Sequence, residues 1–335
     1  MSLVSIIVPC YNEKLTIRLL LDAIQRQSFP HESIEVIIAD GLSTDGTRDE
    51  VNAFLQTNPG YNVRIVDNPK RIIPAALNRA LEAAQGEYII RLDAHCIPER
   101  DYVQRCVQAL EDHLGDNVGG VWDIRPGDPS WVAQSISIAA GHRLGVGDAR
   151  YRYTTEAGEV DTVPFGAFRR ALVDELGAFD ETLLTNEDYE FNARIRQINR
   201  KVWLDPTIRS VYFARRNYLD LARQYWRYGY WKWRMLRRYP ATLRWRQALP
   251  PAFVASVIIL ALLSGWLPAR VLLLAELAVY LVALALVGLE SAIKHKKLFL
   301  AFGVPVAIAV MHFSWGAGFL WSILNTPNQQ HGENK

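Results

Sequence analysis

Three groups of polar residues in the first third of the chain have side chains that could bind or transform a ligand. Each group directly follows a short apolar run, and the groups are Pro9-Cys10-Tyr11-Asn12-Glu13, Asp40-Gly41-Leu42-Ser43-Thr44-Asp45-Gly46 and Asp93-Ala94-His95. Tyr11 could stack on a flat base, and Asp40 could accept a hydrogen bond from a ring N–H or a ribose hydroxyl. Glu13, Ser43 and Asp45 are equally suited to turn formation and helix capping, which is the alternative.

Asp93 and His95 are the residues best suited to hold a metal ion. A carboxylate and an imidazole two residues apart, just past the end of a strand, can face one site. The oxygens of Asp93 suit Mg²⁺ or Mn²⁺, and Mn²⁺ accepts the His95 nitrogen more readily than Mg²⁺ does. Such a metal would neutralise a diphosphate leaving group. The alternative is a hydrogen-bonded turn that binds no metal.

A pair of carboxylates, Glu187 and Asp188, opens a helix that is predicted to run to about Arg200. The helix dipole favours carboxylates in the first turn, which would explain the pair without any catalytic role. The functional interpretation is that one of them acts as a general base toward an acceptor hydroxyl.

The apolar runs that precede these residues alternate with stretches of helical periodicity. The predicted strands are 3–9, 34–39, 61–66 and 88–92, and the predicted helices are about 15–26, 48–55, 74–84 and 102–114. Apolar runs joined by crossover helices are typical of buried parallel strands, so we expect an α/β fold with a largely parallel sheet. Ligands bind at the carboxyl ends of the strands in such sheets. The glycine fingerprint of dinucleotide-binding folds is absent.

The formal net charge of +2 conceals three unequal parts of the chain. Residues 1–200 hold 20 basic and 30 acidic residues, residues 201–247 hold 12 and 2, and residues 248–335 hold 5 and 3. A composition of 50% hydrophobic and 11% aromatic residues is too apolar for a disordered chain. We expect no nucleic-acid partner, because such binding would have to rely on 201–247 alone. The three cysteines lack the spacing of a disulfide framework or a zinc site.

Three apolar runs, 252–267, 271–289 and 298–324, predict three transmembrane helices, since about 20 apolar residues span a bilayer. The alternative is a helical hairpin buried in a soluble protein. Basic residues cluster before the first run and in the connection 290–297, so the positive-inside rule places 1–247 on the cytoplasmic side of the plasma membrane. We expect a catalytic domain at 1–216, an interfacial segment at 217–248, a multi-pass membrane domain at 249–325 and a tail at 326–335.

The segment 217–248 is rich in aromatic and basic residues, which suits an interfacial helix at the lipid headgroups. It contains Gln224 and Arg227, and Arg227 could also reach a diphosphate.

In this order, the groups resemble family 2 glycosyltransferases of the GT-A fold over about residues 1–230. The run from Val4 to Glu13 is similar to the start of that family, Asp40 to Gly46 to its second motif, and Asp93-Ala94-His95 to its DxD motif. Tyr228 replaces the Trp of the QxxRW element at 224–228, which argues against a processive polymer synthase. The DAH sequence and the three spans are most similar to glucosyltransferases of succinoglycan and related exopolysaccharide assembly.

The resemblance implies a role for each matching residue. It implies nucleotide-sugar binding by Pro9, Tyr11, Glu13, Asp40, Ser43, Asp45, Asn78, Asp93, Gln224 and Arg227, and acceptor contacts by Gly166, Ala167 and Asn186. It further implies Mn²⁺ or Mg²⁺ on Asp93 and His95, with Asp188 as the catalytic base and Glu187 beside it.

The implied reaction is an inverting transfer of a sugar, glucose from UDP-glucose, to a glycan carried on a polyprenyl diphosphate in the membrane. The product would belong to exopolysaccharide or cell-surface polysaccharide biosynthesis. One alternative is a polyprenyl-phosphate sugar synthase, whose acceptor is the bare lipid phosphate. The other is a membrane scaffold that senses a nucleotide sugar without catalysis.

Overall fold

The computed structural model describes residues 3–325, so the predicted tail 326–335 lies outside the described residues. The described chain forms two compact units. Residues 3–125 and 149–213 form the first, which we call the sheet unit, and residues 126–148 and 214–325 form the second, which we call the helical unit.

The chain contains nine strands and twelve α-helices within residues 3–325. The strands are β1 Val4–Cys10, β2 Ile34–Asp40, β3 Asn62–Asp67, β4 Tyr88–Arg91, β5 Ile97–Pro98, β6 Asn117–Arg125, β7 Gly158–Glu159, β8 Ala167–Arg169 and β9 Val202–Phe213. The helices are α1 Ile17–Gln25, α2 Thr47–Thr57, α3 Ile73–Ala83, α4 Tyr102–Glu111, α5 Trp131–Gly141, α6 Arg143–Val146, α7 Arg170–Leu176, α8 Glu187–Gln197, α9 Tyr218–Leu236, α10 Trp245–Leu262, α11 Leu267–His295 and α12 Leu300–Leu324.

All nine strands belong to one sheet with the order β3-β2-β1-β4-β8-β6-β9-β5, in which β7 also pairs with β9. Strands β1 to β4 are parallel to one another, and β8 runs antiparallel between β4 and β6. The predicted α/β fold with a mostly parallel sheet is confirmed, and each of the four predicted strands is present. Apolar side chains cover both faces of the sheet, because helices pack on each side.

The sheet brings the predicted chemical groups to a single edge. Cys10 lies opposite Asp40 in the β1–β2 pair, and Ile7 lies opposite Arg91 in the β1–β4 pair, so these three parallel strands end on the same side. The antiparallel strand β8 begins at that edge, which places Gly166 and Ala167 beside the end of β4.

The helical unit contains three helices, α10, α11 and α12, that are long and apolar enough to cross a membrane. The connection between α10 and α11 is at 263–266, earlier than the predicted connection at 268–270. Pro268 was expected in the connection, whereas it lies in the first turn of α11, where a missing N–H needs no partner. Helix α11 also continues through Glu290 to His295, so the predicted connection 290–297 is mostly helical.

Residues 126–148 were expected in the catalytic domain 1–216, whereas the structure groups them with the C-terminal helices. Helix α5 approaches α12 so closely that a Cβ built on Gly303 would lie 2.1 Å from Ser135 Oγ. His312 Nε2 donates to the Leu144 carbonyl at 2.9 Å, and Asp148 pairs with Arg246. These contacts join residues far apart in sequence, which explains why no local pattern indicated them.

Helices α9 and α12 cross at glycines, and this crossing gives a stability prediction. A Cβ at Gly229 would lie 2.1 Å from the Trp315 carbonyl oxygen. We expect Gly229→Ala to lower the free energy of unfolding by about 1–3 kcal/mol, because a backbone oxygen must move. Gly265→Ala is the matched control, since no atom lies within 4 Å of its Cβ. Thermal unfolding in detergent would measure the melting temperatures of both variants. Equal melting temperatures for Gly229→Ala and Gly265→Ala would contradict close packing of α9 against α12 at Gly229.

Candidate active site

The loops after β1 and β2 are joined by hydrogen bonds from backbone to side chain. Asn12 N donates to Ser43 Oγ at 2.8 Å, and Thr44 N donates to Asn12 Oδ1 at 3.0 Å. Lys14 N donates to Asp45 Oδ2 at 3.1 Å. Ser43 and Asp45 therefore hold the two loops together, and neither is the N-cap residue of α1 or α2, which are Thr16 and Gly46. Their direct contact with a nucleotide sugar stays a prediction.

Asp40 ends β2 with a carboxylate that is only 1% exposed. Its Oδ2 accepts from Ser43 N at 3.0 Å and from Arg48 Nε at 2.5 Å, and its Oδ1 accepts from Ser43 Oγ at 2.5 Å. Arg48 also reaches Asp67 at the end of β3 at 2.5 Å. In the structure Asp40 thus fixes the shape of the loop, and hydrogen bonding to a base or ribose stays a prediction.

Tyr11 presents a ring that is 46% exposed, as a base-stacking platform requires. Gly41 supports the ring from the neighbouring loop, since a Cβ there would lie 2.9 Å from Tyr11 Cδ2. The Arg71 guanidinium carbon lies 5.8 Å from the ring centroid. Sequence analysis missed Arg71, although the basic pair Lys70-Arg71 just after β3 was a signal for it. Pro9 precedes this loop as a β1 residue paired with Ala39.

The predicted metal ligands follow β4, and each is oriented by a neighbour. Glu13 Oε1 and His95 Nδ1 lie 3.0 Å apart, and Thr16 Oγ1 bonds the other oxygen of Glu13. A carboxylate on one ring nitrogen is the usual support of a metal-ligating histidine. Asp93 Oδ1 accepts from Arg91 Nη2 at 3.2 Å and from Nε at 3.3 Å.

These residues fit a divalent metal that is shared with a diphosphate. Within residues 3–325 there is no cluster of three or more His, Cys, Asp or Glu side chains that could hold a metal. A pair made of one carboxylate and one imidazole would leave coordination positions for phosphate oxygens and water. Because Glu13 bonds Nδ1, coordination by His95 would use Nε2.

Arg91 connects Asp93, a predicted metal ligand, to helix α8, which carries the predicted base Asp188. Its Nη2 lies 2.8 Å from Glu187 Oε1 as well as 3.2 Å from Asp93 Oδ1. Arg91 is 4% exposed and Glu187 is 5% exposed, so this ion pair is buried. Burial lowers the pKa of Arg91, but the surrounding carboxylates outweigh it and hold that pKa above its ordinary value. Sequence analysis assigned no role to Arg91, which lies two residues before Asp93.

Asp188 follows Glu187 in the first turn of α8 and is the less buried of the two. Its Oδ1 accepts from Tyr189 N at 2.7 Å, which orients the carboxylate along the helix end. Burial raises the pKa of Asp188 and of Glu187, and Arg91 partly offsets this effect. The pair has the raised basicity that suits a general base, and Glu187 is the partner bound to Arg91.

The predicted acceptor-side residues differ in what they contact. Gly166 has φ +78°, a Cβ there would lie 2.7 Å from Asn117 Oδ1, and its carbonyl accepts from Arg91 N at 3.0 Å. Ala167 is buried in β8 opposite Ile90. Asn186 has φ +71°, and its Nδ2 is buried without a hydrogen-bond partner. Contact of these three residues with an acceptor stays a prediction.

Three other predicted binding residues, Asn78, Gln224 and Arg227, lie on helices. Asn78 uses its amide on the loop before α8: Nδ2 donates to Phe179 O and Glu181 Oε1 at 3.0 Å each, and Oδ1 accepts from Phe179 N at 2.9 Å. Gln224 and Arg227 lie on α9 in the helical unit, where Gln224 Nε2 donates to Tyr228 Oη at 2.9 Å. Their roles in nucleotide-sugar binding stay predictions.

A mostly parallel sheet with polar loops at the ends of β1, β2 and β4 and a carboxylate pair opening α8 is the arrangement that the resemblance to GT-A glycosyltransferases predicted. The sequence model described as Glycosyl transferase family 2 matches residues 5–177, and the chain belongs to this family. The predicted family, fold and enzyme class are thereby confirmed.

Two relatives align with almost the whole chain. The succinoglycan biosynthesis protein ExoA of Rhizobium meliloti is 30% identical over 96% of this chain and 94% of its own. A dolichyl N-acetyl-alpha-D-glucosaminyl phosphate 3-beta-D-2,3-diacetamido-2,3-dideoxy-beta-D-glucuronosyltransferase of Methanococcus voltae is 25% identical over 97% of this chain and 98% of its own. Among solved structures, a mannosyltransferase of Pyrobaculum calidifontis in complex with GDP-Man and Mn²⁺ has a TM-score of 0.63 at 22% identity, covering 92% of this chain and 87% of that one.

Proposed function

We propose that this glycosyltransferase is a membrane-anchored, inverting enzyme that transfers a sugar from a nucleotide diphosphate to a lipid-linked acceptor. The observation that carries the proposal is the bridge from Asp93 through Arg91 to Glu187, at 3.2 and 2.8 Å. This bridge brings the residues suited to the diphosphate and those suited to the acceptor hydroxyl to one edge of the sheet. The sugar we propose is glucose, carried by UDP.

In the proposed reaction the carboxylate of Asp188 takes the proton of the acceptor hydroxyl. The oxygen then attacks the anomeric carbon while the bond to the nucleotide diphosphate breaks. One base and one displacement invert the configuration, so an α-linked donor gives a β-linked product. Mn²⁺ or Mg²⁺ on Asp93 and His95 would supply the positive charge that stabilises the leaving diphosphate.

The remaining residues of the edge bind and orient the donor in this proposal. Tyr11 stacks on the base, while Asp40, Ser43 and Asp45 keep the two loops in the shape that accepts it. Glu13 holds the ring of His95, and Asn186, which directly precedes α8, is the proposed acceptor contact next to Asp188. The complex of the Pyrobaculum mannosyltransferase with GDP-Man and Mn²⁺ supports a nucleotide sugar and a metal at this kind of fold.

The proposed acceptor is a sugar on a polyprenyl phosphate or diphosphate. The three candidate spans support a membrane location, and the basic residues of 201–247 favour anionic phosphate at its surface. The name of the Methanococcus relative describes a lipid-phosphate-linked sugar, and that of the Rhizobium relative describes succinoglycan biosynthesis. The positive-inside rule supports a cytoplasmic sheet unit at the plasma membrane, acting in polysaccharide biosynthesis.

The polyprenyl-phosphate sugar synthase remains the second candidate, because a lipid phosphate would meet the same basic segment. One assay separates the two. Full-length enzyme in vesicles is given labelled UDP-glucose, UDP-galactose, UDP-N-acetylglucosamine or GDP-mannose, with Mn²⁺, and either polyprenyl phosphate or a polyprenyl-diphosphate-linked sugar.

We expect label on the lipid-linked sugar through a β-glycosidic bond, with UDP-glucose as the best donor. Label on the bare lipid phosphate alone would favour the synthase. Transfer from another nucleotide sugar would correct the donor but keep the reaction class. The Asp188→Asn enzyme is the negative control, because any transfer it shows does not depend on the proposed base.

A further inference from the structure

Arg91 occupies a position between two functional side chains that no assigned role explains. It is the last residue of β4, and its guanidinium is nine-tenths buried. The single nitrogen Nη2 reaches Glu187 Oε1 at 2.8 Å and Asp93 Oδ1 at 3.2 Å, and Nε also reaches Asp93 Oδ1 at 3.3 Å. One side chain therefore touches both a proposed metal ligand and the first residue of the proposed base helix.

The geometry of this bridge suits arginine better than lysine. A guanidinium is planar and directs its donors along fixed axes, so it can bind two carboxylates at once, whereas a lysine ammonium is a point charge. The third nitrogen, Nη1, is buried and has no hydrogen-bond partner. A buried unpaired donor is costly, and apolar residues of similar volume would serve packing at least as well as a buried ion pair. Stability alone is therefore a poor explanation for Arg91.

The bridge also determines where the proposed base lies. Glu187 is the first residue of α8, and Asp188 is the second, so fixing the Glu187 carboxylate fixes the start of the helix that carries Asp188. The backbone N–H of Arg91 donates to the Gly166 carbonyl at 3.0 Å, which ties the acceptor-side turn to the same residue. Arg91 thus contacts Asp93, a proposed metal ligand, Glu187, which precedes the proposed base, and Gly166, a proposed acceptor-side residue.

We propose that Arg91 is a positioning residue that holds Asp93 and the start of helix α8 at a fixed separation, so that donor and base meet in reactive geometry. This inference rests on the proposed roles of Asp93 and Asp188. Glu187 then acts through Arg91 and is itself a positioning residue, which leaves Asp188 as the group that meets the acceptor.

The test compares catalysis with nucleotide binding in full-length enzyme purified in detergent. Arg91→Met removes the bridge, and Arg91→Lys keeps the charge but lacks the second nitrogen that bonds Asp93 and the fixed directions of the guanidinium donors. We expect Arg91→Met to lower kcat by about 10–100-fold, the usual effect of losing a residue that orients a metal or catalytic ligand. The Kd for UDP or GDP measured without Mn²⁺ by titration calorimetry should stay within about threefold of wild type, because a residue that orients a metal ligand acts on nucleotide binding through the metal. The kcat of Arg91→Lys should lie between those of wild type and Arg91→Met.

A matched control is Arg79→Met, which removes an exposed ion pair of 2.8 Å with Glu82 on α3 and should change neither quantity. A parallel loss of kcat and of nucleotide affinity measured without Mn²⁺ in Arg91→Met would overturn the proposal, because it would identify Arg91 as a diphosphate ligand. Unchanged kcat would overturn it as well.

A second pair of variants keeps the test decisive where Arg91→Met fails to fold. Glu187→Gln preserves an oxygen that accepts from Arg91, whereas the double variant Arg91→Met with Glu187→Met replaces the buried pair by apolar side chains. We expect Glu187→Gln to retain kcat within about tenfold of wild type and the double variant to lose more, as for a residue that orients a ligand. Equal, complete loss in Glu187→Gln would overturn the proposal, since the charge of Glu187 would then be needed directly. Substantial turnover in Asp188→Asn would instead refute Asp188 as the base, and the comparison of Arg91 variants with wild type could still be interpreted.

Discussion

Replacing Asp188 by Asn is expected to lower kcat by about 10²–10⁴-fold, the usual contribution of a general base. The amide keeps the size of the side chain and can still accept from Tyr189 N, but it cannot take the proton of the acceptor. Binding of UDP or GDP with Mn²⁺ should be unchanged, because Asp93 and His95 lie in the segment after β4 and not on α8. Single-turnover transfer and calorimetric titration would measure the two effects.

The pH dependence of the wild-type enzyme gives an independent check on Asp188. Burial raises the pKa of this carboxyl, so it holds its proton to a higher pH than an ordinary aspartic acid. Since only the carboxylate can act as base, kcat should fall as the pH is lowered through that raised pKa. The exposed Asp174→Asn is the control and should behave like wild type. Turnover of Asp188→Asn within about tenfold of wild type, or ~1.4 kcal/mol of barrier, would require another base.

Replacing Asp93 by Ala is expected to lower kcat by about 10³-fold, or ~4 kcal/mol, and to remove the dependence of nucleotide binding on Mn²⁺. The variant loses the oxygen ligand of the metal and one of the two carboxylates bound by Arg91. Calorimetric titration of UDP or GDP with and without Mn²⁺ would separate this effect from unfolding. Asp67→Ala is the matched control, because it also removes an arginine partner at a strand end, at an exposed position.

Wild-type affinity for the Mn²⁺ nucleotide in Asp93→Ala would show that the metal binds elsewhere. The companion variant His95→Asp offers two oxygen ligands in place of oxygen and nitrogen. It should therefore shift the preference of the enzyme from Mn²⁺ toward Mg²⁺.

Arg91 and Asn78 show where sequence reasoning stops for the site. Both lie in predicted elements, and the motif around Asp93 was recognised from its position after a strand. The bond of Arg91 to Glu187 and the clamp of Asn78 on Phe179 each join residues about a hundred positions apart. Such pairs depend on how strands and helices pack, which neither residue type nor local spacing reveals.

The sequence by itself determined the α/β alternation, the polar residues at the carboxyl ends of β1, β2 and β4 that predict a ligand edge, and three apolar helices long enough to span a bilayer. These features follow from local periodicity and hydrophobicity, which are properties of neighbouring residues. Only the tertiary structure decided that Ser43 and Asp45 fasten two loops, that residues 126–148 belong with the C-terminal helices, and that Arg91 joins Asp93 to Glu187. The physical reason is that these outcomes depend on which buried polar groups find partners across the fold, and each partner is brought near only when the chain has packed.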